Sequence, residues 1–338
     1  MARSRYLPDN FTLALVATVT FASLLPASGS TAHFFEGLTT VAIGLLFFLH
    51  GAKLSREAIL AGITHWRLHL LVFGCTFALF PLLGFALKPV LSPLVTPQLY
   101  TGVLFLCVLP ATVQSAIAFT SMARGNIPAA VCSASASTLL GVFVTPILVN
   151  LLVVPHGGGG AAGGAVDAIG RILLQLMLPF VAGHLLRPWI GGWIKQRAGV
   201  LRFVDQGSIL LVVYTAFSAA VIEGLWKQVP LSALLGLVLV CGVLLALALA
   251  STTWIARKLG FSKEDEITIV FCGSKKSLAS GIPMAKVLFA SHAVGAIVLP
   301  LMLFHQMQLM VCAVLARRYA MRAEQVPVAA PAPLERAS

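Results

Sequence analysis

Apolar stretches of about 20 residues follow one another from Phe11 to Ala316, which leaves a chain of this kind few folds to adopt. An α-helix rises about 1.5 Å per residue, so each stretch is long enough to cross the hydrocarbon core of a bilayer. With short and broken members tolerated, ten spans can be read. The first five are Phe11 to Leu25, Leu38 to His50, His69 to Leu87, Tyr100 to Met122 and Pro128 to Val153. The second five are Arg171 to Leu186, Gln206 to Ile222, Leu231 to Ile255, Ile267 to Phe289 and His292 to Ala316. Charged residues make up 10% of the chain, against about 25% in soluble domains, so the surface of a soluble fold could not be furnished. The opening Met1-Ala-Arg-Ser-Arg-Tyr is not followed by a small-x-small cleavage site leading into soluble-looking sequence, so Phe11 to Leu25 reads as the first span.

Basic residues test the count. With the N-terminus inside, the outer segments hold Lys88, Arg171, Lys227 and Lys286, two lysines are buried, and the remaining 17 of 23 Lys and Arg fall in cytoplasmic segments. Short cytoplasmic loops carry such an excess, and an odd number of spans would scramble it. This predicts a multi-pass protein of the cell (inner) membrane with both termini cytoplasmic. The net charge of +12 is then a loop bias supported by anionic lipid, with the bilayer as partner and no nucleic acid. Cys75, Cys107, Cys132, Cys241, Cys272 and Cys312 each sit in an apolar stretch without CxxC or metal-ligand spacing, so they read as reduced core thiols. No metal site is expected.

The glycine run His156-Gly-Gly-Gly-Gly-Ala-Ala-Gly-Gly-Ala165 separates spans five and six as a flexible linker at 155–166. Two halves of five spans, about 8–154 and 168–318, must lie in the membrane with opposite orientation. That is the arithmetic of an inverted repeat, in which substrate and ion sites form at the midplane from discontinuous helices. The whole is one transmembrane domain, 1–320, and 319–338 is expected to be a disordered cytoplasmic tail.

The fourth span of each half is interrupted. One contains Leu109-Pro-Ala-Thr-Val-Gln-Ser115; the other contains Phe271-Cys-Gly-Ser-Lys-Lys-Ser-Leu-Ala-Ser-Gly281, and Gln114 to Ala118 corresponds to Lys276 to Ser280 at an offset of 162. A charge at bilayer depth costs roughly 2.5–3.5 kcal/mol on insertion scales, so adjacent Lys275 and Lys276 need a local reason. The helix break supplies one, because it frees backbone groups at the midplane. Around the breaks stand Thr112, Gln114, Ser115, Thr120, Ser274, Ser277 and Ser280, with Ser133, Ser135, Ser137 and Thr138 on span five and His305 on span ten. A single Ser or Thr in a membrane helix commonly bonds its own backbone; their concentration at both breaks points to a site. Three readings of the lysines stand side by side. They point into an aqueous cavity or cap half-helix carbonyls and so hold the crossover; or an ammonium takes a cation's place and helps to bind an anion or titrates during transport; or the register is shifted and the pair lies nearer a surface.

These motifs resemble the bile acid:sodium symporter superfamily. Leu109 to Ser115 with Ala123-Arg-Gly-Asn126 looks like one crossing helix, and Phe271 to Gly281 lies where the other is found. Leu45-Leu-Phe-Phe-Leu-His-Gly51, His65-Trp-Arg-Leu-His69 and the Gly-Ser-Lys-Lys-Ser-Leu-Ala run are similar to the branch typified by the seventh member of solute carrier family 10 and its bacterial relatives. The resemblance covers about residues 8 to 320. It implies an all-α membrane fold of ten transmembrane helices, with a panel domain of spans 1, 2, 6 and 7 and a core domain of the others. It also implies alternating access. Sodium-coupled relatives carry a glutamate and a glutamine where this chain has Phe271 and Lys275, and an asparagine near Ala116. None of the eleven acidic residues falls at a predicted midplane, so the sodium sites are in question and sodium or proton coupling stays open.

The absence of midplane carboxylates also argues against an intramembrane protease or a prenyl-transfer enzyme. The resulting expectation is a secondary transporter of a small organic anion, bile-acid-like or another amphipathic carboxylate or sulfate, with no cofactor. The substrate- or coupling-site candidates are Lys275, Lys276, Gln114, Ser115, Thr112, Ser274, Ser277, Ser133, Ser135 and His305. The alternative is a non-transporting membrane regulator of ion homeostasis on the same fold. The oligomeric state is not readable.

Overall fold

The computed structural model describes residues 10–53, 65–153, 162–289 and 294–322. Among these the protein is helical, without strands, and six helices are long and apolar enough to cross a membrane. The first half contains α1 (Asn10–Leu24), α2 (Gly29–Lys53), α3 (Trp66–Ala86), α4 (Pro97–Val108), α5 (Gln114–Met122) and α6 (Ile127–Leu148). The second contains α7 (Ala162–Gln196), α8 (Ala198–Ile222), α9 (Leu231–Lys258), α10 (Lys263–Gly273), α11 (Leu278–Leu288) and α12 (Val294–Ala320).

Three boundaries differ from the sequence reading. The second span begins at Gly29, not near Leu38, because its polar first turn stays helical with its hydroxyl bonding back to the backbone, as Thr31 Oγ1 does to Ser28 O at 2.6 Å. The glycine-rich linker is helical from Ala162 onward, and residues 154–161 lie outside the described residues. Residues 319 and 320, assigned to the tail, complete α12, while the rest of the tail from 323 lies outside the description.

Local chemistry accounts for the interruptions. Pro81 has no N–H, and α3 answers with a π turn over Cys75–Leu79 in which the Phe80 N–H reaches back to Cys75 O. The α4 helix starts with Thr96 as its cap and Pro97 in its first turn, and stops before Pro110, with Leu109 extended as a residue before proline must be. Asn126 caps α6, accepting from Ala129 N at 3.1 Å. In α10, Ser262 is the cap and Glu264, Asp265 and Glu266 occupy the first turn, where the helix dipole favours negative charge. The α11 helix starts at Ser277, whose hydroxyl accepts from Ser280 N at 3.2 Å.

Two groups of helices result. α2 lies against α7 and α1 against α8. The other group packs α4 on α12, α10 on α5 and α6, and α9 on α10 and α12. At one end Glu266 is buried and receives bonds from Arg257 at 3.1 Å, Lys263 at 2.7 Å and the Tyr319 hydroxyl at 3.1 Å, tying α9, α10 and α12 together. Lys53 pairs with Asp205 between α2 and α8. At the far end of α2, Glu36 meets Lys286 of α11 at 3.7 Å.

Candidate functional site

The two breaks meet, and several of the backbone groups they release can be followed to a partner. After α4, Val108 O accepts from the Thr145 hydroxyl at 2.8 Å, Pro110 O accepts from Ser277 N at 2.9 Å and Ala111 N donates to Ser137 Oγ at 3.0 Å. In the other break Gln308 clamps Lys276, accepting its N–H at 2.9 Å and donating to its carbonyl at 3.0 Å. Buried backbone groups in lipid must be paired, and side chains of α6 and α12 supply what the broken helices cannot.

Both lysines are fully buried. The Lys276 ammonium donates to Thr76 O at 2.7 Å and to Cys107 O and Leu109 O at 2.8 Å each, and it stands 4.2 Å from the centre of the Phe80 ring. Each oxygen is available for a traceable reason. Thr76 O would take its π-turn bond from residue 81, which is proline. Cys107 O and Leu109 O lie at the end of α4, where the chain turns extended before Pro110 and no further helical turn supplies their N–H donors. Lys275 is held differently: its ammonium donates to Ser115 O at 2.9 Å and lies 3.9 Å from the Phe119 ring centre.

In front of the crossover is a cavity of about 730 Å³. Its walls come from both helix groups, with His50, Lys53, Arg202 and Asp205 on one side. On the other are Thr112, Gln114, Ser115, Ser135, Ser277 and His305. The N-termini of α5 and α11 both open here, and these ends carry unpaired N–H groups and partial positive charge. The ion pair of Lys53 with Asp205 leaves Arg202 as the net charge among these lining groups.

His305 joins this network through Nδ1, which lies 2.9 Å from the Gln308 amide nitrogen and 3.5 Å from Lys276 O, so the tautomer selects which of the two it bonds. Of the sequence candidates, Thr112, Gln114, Ser115, Ser135, Ser277 and His305 line the cavity. Lys275, Lys276 and Ser274 are buried in or beside the second break, and Ser133 bonds His69 Nδ1 at 2.6 Å within the helix packing. Sequence reasoning missed His50, which it took as the end of a span, and Lys53, Arg202 and Asp205. The available signal was their shared placement near span ends, but only contact between α2 and α8 brings them together. Among the described residues there is no cluster of three His, Cys, Asp or Glu able to hold a metal.

Long apolar helices, two helices broken where they meet and a cavity walled by two helix groups define a multi-pass membrane transport protein. The sequence matches the model of the SBF-like CPA transporter family over residues 9–321, and the chain belongs to that family. It is similar to the uncharacterized protein PA2026 of Pseudomonas aeruginosa, at 71% identity over 97% of this chain and 98% of that one. The putative symporter YfeH of Escherichia coli is 60% identical, covering 94% of this chain and 95% of its own length. Sodium/bile acid cotransporter 7 of the mouse is 28% identical over 90% of each. The resemblance in the crossover motifs is therefore a family relationship, and the protein is a transporter, not an enzyme.

Proposed function

We propose that this protein is a secondary active transporter of a small organic anion, working by alternating access without a sodium site at its crossover. The observation that carries the reading is the cavity in which two half-helix N-termini converge with Thr112, Gln114, Ser115 and Ser277, while Arg202 adds net positive charge. Hydroxyl, amide and free N–H donors suit a carboxylate or sulfate, and Leu46, Phe180 and Ile209 in the same lining suit an apolar body. The named symporter and cotransporter relatives support the same class.

In this reading the chain makes ten crossings in two inverted repeats. The pairing of α2 with α7 and of α1 with α8 supports it, since exchanging spans one and two with six and seven turns one contact into the other. The helix group of α1, α2, α7 and α8 is the panel and the remainder the core, with both termini on the cytoplasmic side of the cell membrane. Substrate crosses when core and panel rock about the cavity.

Thermal melting of purified protein against a panel of sulfated and carboxylated amphiphiles tests the site. A stabilising anion should raise the midpoint equally in sodium and in choline at the same ionic strength. A saturable sodium requirement for that shift would remove the sodium-free part of the reading, and no stabilisation by any anion would remove the anion. Uptake of the stabilising compound by proteoliposomes distinguishes a carrier from a regulator that binds without transporting.

A further inference from the structure

The geometry assigns to Lys276 the role of a tethered cation: its ammonium permanently fills an oxygen cage that would otherwise accept an exchangeable monovalent ion. This goes beyond the anion reading, because it concerns the crossover and is tested through stability.

Three observations point to it. First, the Lys276 ammonium makes its three possible N–H bonds to three carbonyls, Thr76 O, Cys107 O and Leu109 O, at 2.7, 2.8 and 2.8 Å. Second, the cage is assembled from two places where the helical ladder is interrupted, the π turn before Pro81 and the end of α4 before Pro110, so the oxygens face inward without the cation having to pull them from a helix. Third, the charge is balanced by dipoles: two of the three oxygens lie at the C-terminal end of α4, where the helix dipole favours a cation, and the Phe80 ring adds its face at 4.2 Å. Neutral oxygens in this number suit a monovalent ion.

Sodium does not fit beside the ammonium, which already occupies the shared oxygens. At the neighbouring position Phe271 is buried and presents its ring to Lys275 at 5.2 Å, so no carboxylate is offered there either. Lys276 is accordingly a positioning residue. Its ammonium ties the crossed breaks together, and its backbone N–H and carbonyl, held by Gln308, stand next to His305.

The test compares melting midpoints of wild type, Lys276→Ala, Lys276→Met and Lys275→Ala. Each is purified throughout in equimolar choline, sodium, potassium, ammonium or methylammonium chloride. Wild type should melt alike in all five. Lys276→Ala should fall by about 5 °C or more in choline and recover at least half of that loss in ammonium or methylammonium. Lys276→Met fills the space with an apolar chain, so it should fall without recovery in any salt. Lys275→Ala should show no cation-specific recovery, since its ammonium meets one carbonyl and an aromatic face. A wild-type midpoint raised several degrees by sodium over choline would overturn the assignment, as would Lys276→Ala recovering in no cation or Lys275→Ala recovering equally. If Lys276→Ala yields no folded protein, the wild-type salt series decides alone.

Discussion

Gly51→Ala is expected to prevent accumulation of folded protein, and Gly183→Ala to do the same independently. A Cβ on Gly51 would stand 1.9 Å from Phe180 O, and one on Gly183 would stand 1.9 Å from Phe48 O. The contacts are reciprocal: α2 and α7 meet backbone to backbone, each through a glycine of its own. Small residues allow such approaches between membrane helices, where packing rather than the hydrophobic effect holds them together. The obstructing atoms are carbonyl oxygens, so no side chain can swing aside and the helices must separate. Overpacking alone costs about 1–3 kcal/mol, and losing this helix pair raises the expected loss to about 4 kcal/mol or more. Expression yield and the size-exclusion profile of a fluorescent fusion are the measurements. Gly44→Ala on the same helix meets nothing within 4 Å and should behave as wild type or better, since alanine favours helix by up to about 1 kcal/mol. Gly51→Ala and Gly44→Ala giving equal yields would show that the close approach does not matter.

Lys276→Arg should be nearly as damaging to uptake as Lys276→Ala, although it keeps the charge. The cage surrounds a compact ammonium whose three N–H groups point to Thr76 O, Cys107 O and Leu109 O. A guanidinium is planar and larger, and its fork cannot converge on three oxygens around one point. Each buried carbonyl left unpaired costs about 1–3 kcal/mol, and the oversized head adds overpacking. We expect uptake by either variant to fall at least about tenfold, equivalent to 1.4 kcal/mol in the population of the competent state. A buried charge carries an insertion cost, so if the ammonium served transport alone its removal would spare expression. With three carbonyls deprived of their donor, both variants should instead be less stable as well. Lys276→Arg transporting at the parent rate would show that charge alone is needed.

The membrane class, most of the helices and both helix breaks were legible in the sequence, because apolar length, Pro110, Gly273 and the misplaced lysines are all written in residue type. The lysines pointed to a break, since an interrupted helical ladder offers oxygens at that depth. Which oxygens was not legible. A backbone carbonyl has no side-chain identity, so nothing in Thr76 or Cys107 as letters marks them as partners of Lys276; Pro81 is the trace, and it reads equally as a kink. The beginning of α2 was missed because its polar first turn bonds back to the backbone. The cavity lining from α2 and α8 escaped notice because His50, Lys53, Arg202 and Asp205 are ordinary span-end residues until two remote helices place them opposite α5 and α11. Sequence alone thus determined that the chain is a membrane protein of apolar helices and where two of them must break, through local burial and proline chemistry. Tertiary structure decided what the breaks hold, because groups as far apart as Thr76 and Lys276 become neighbours only when the helices pack.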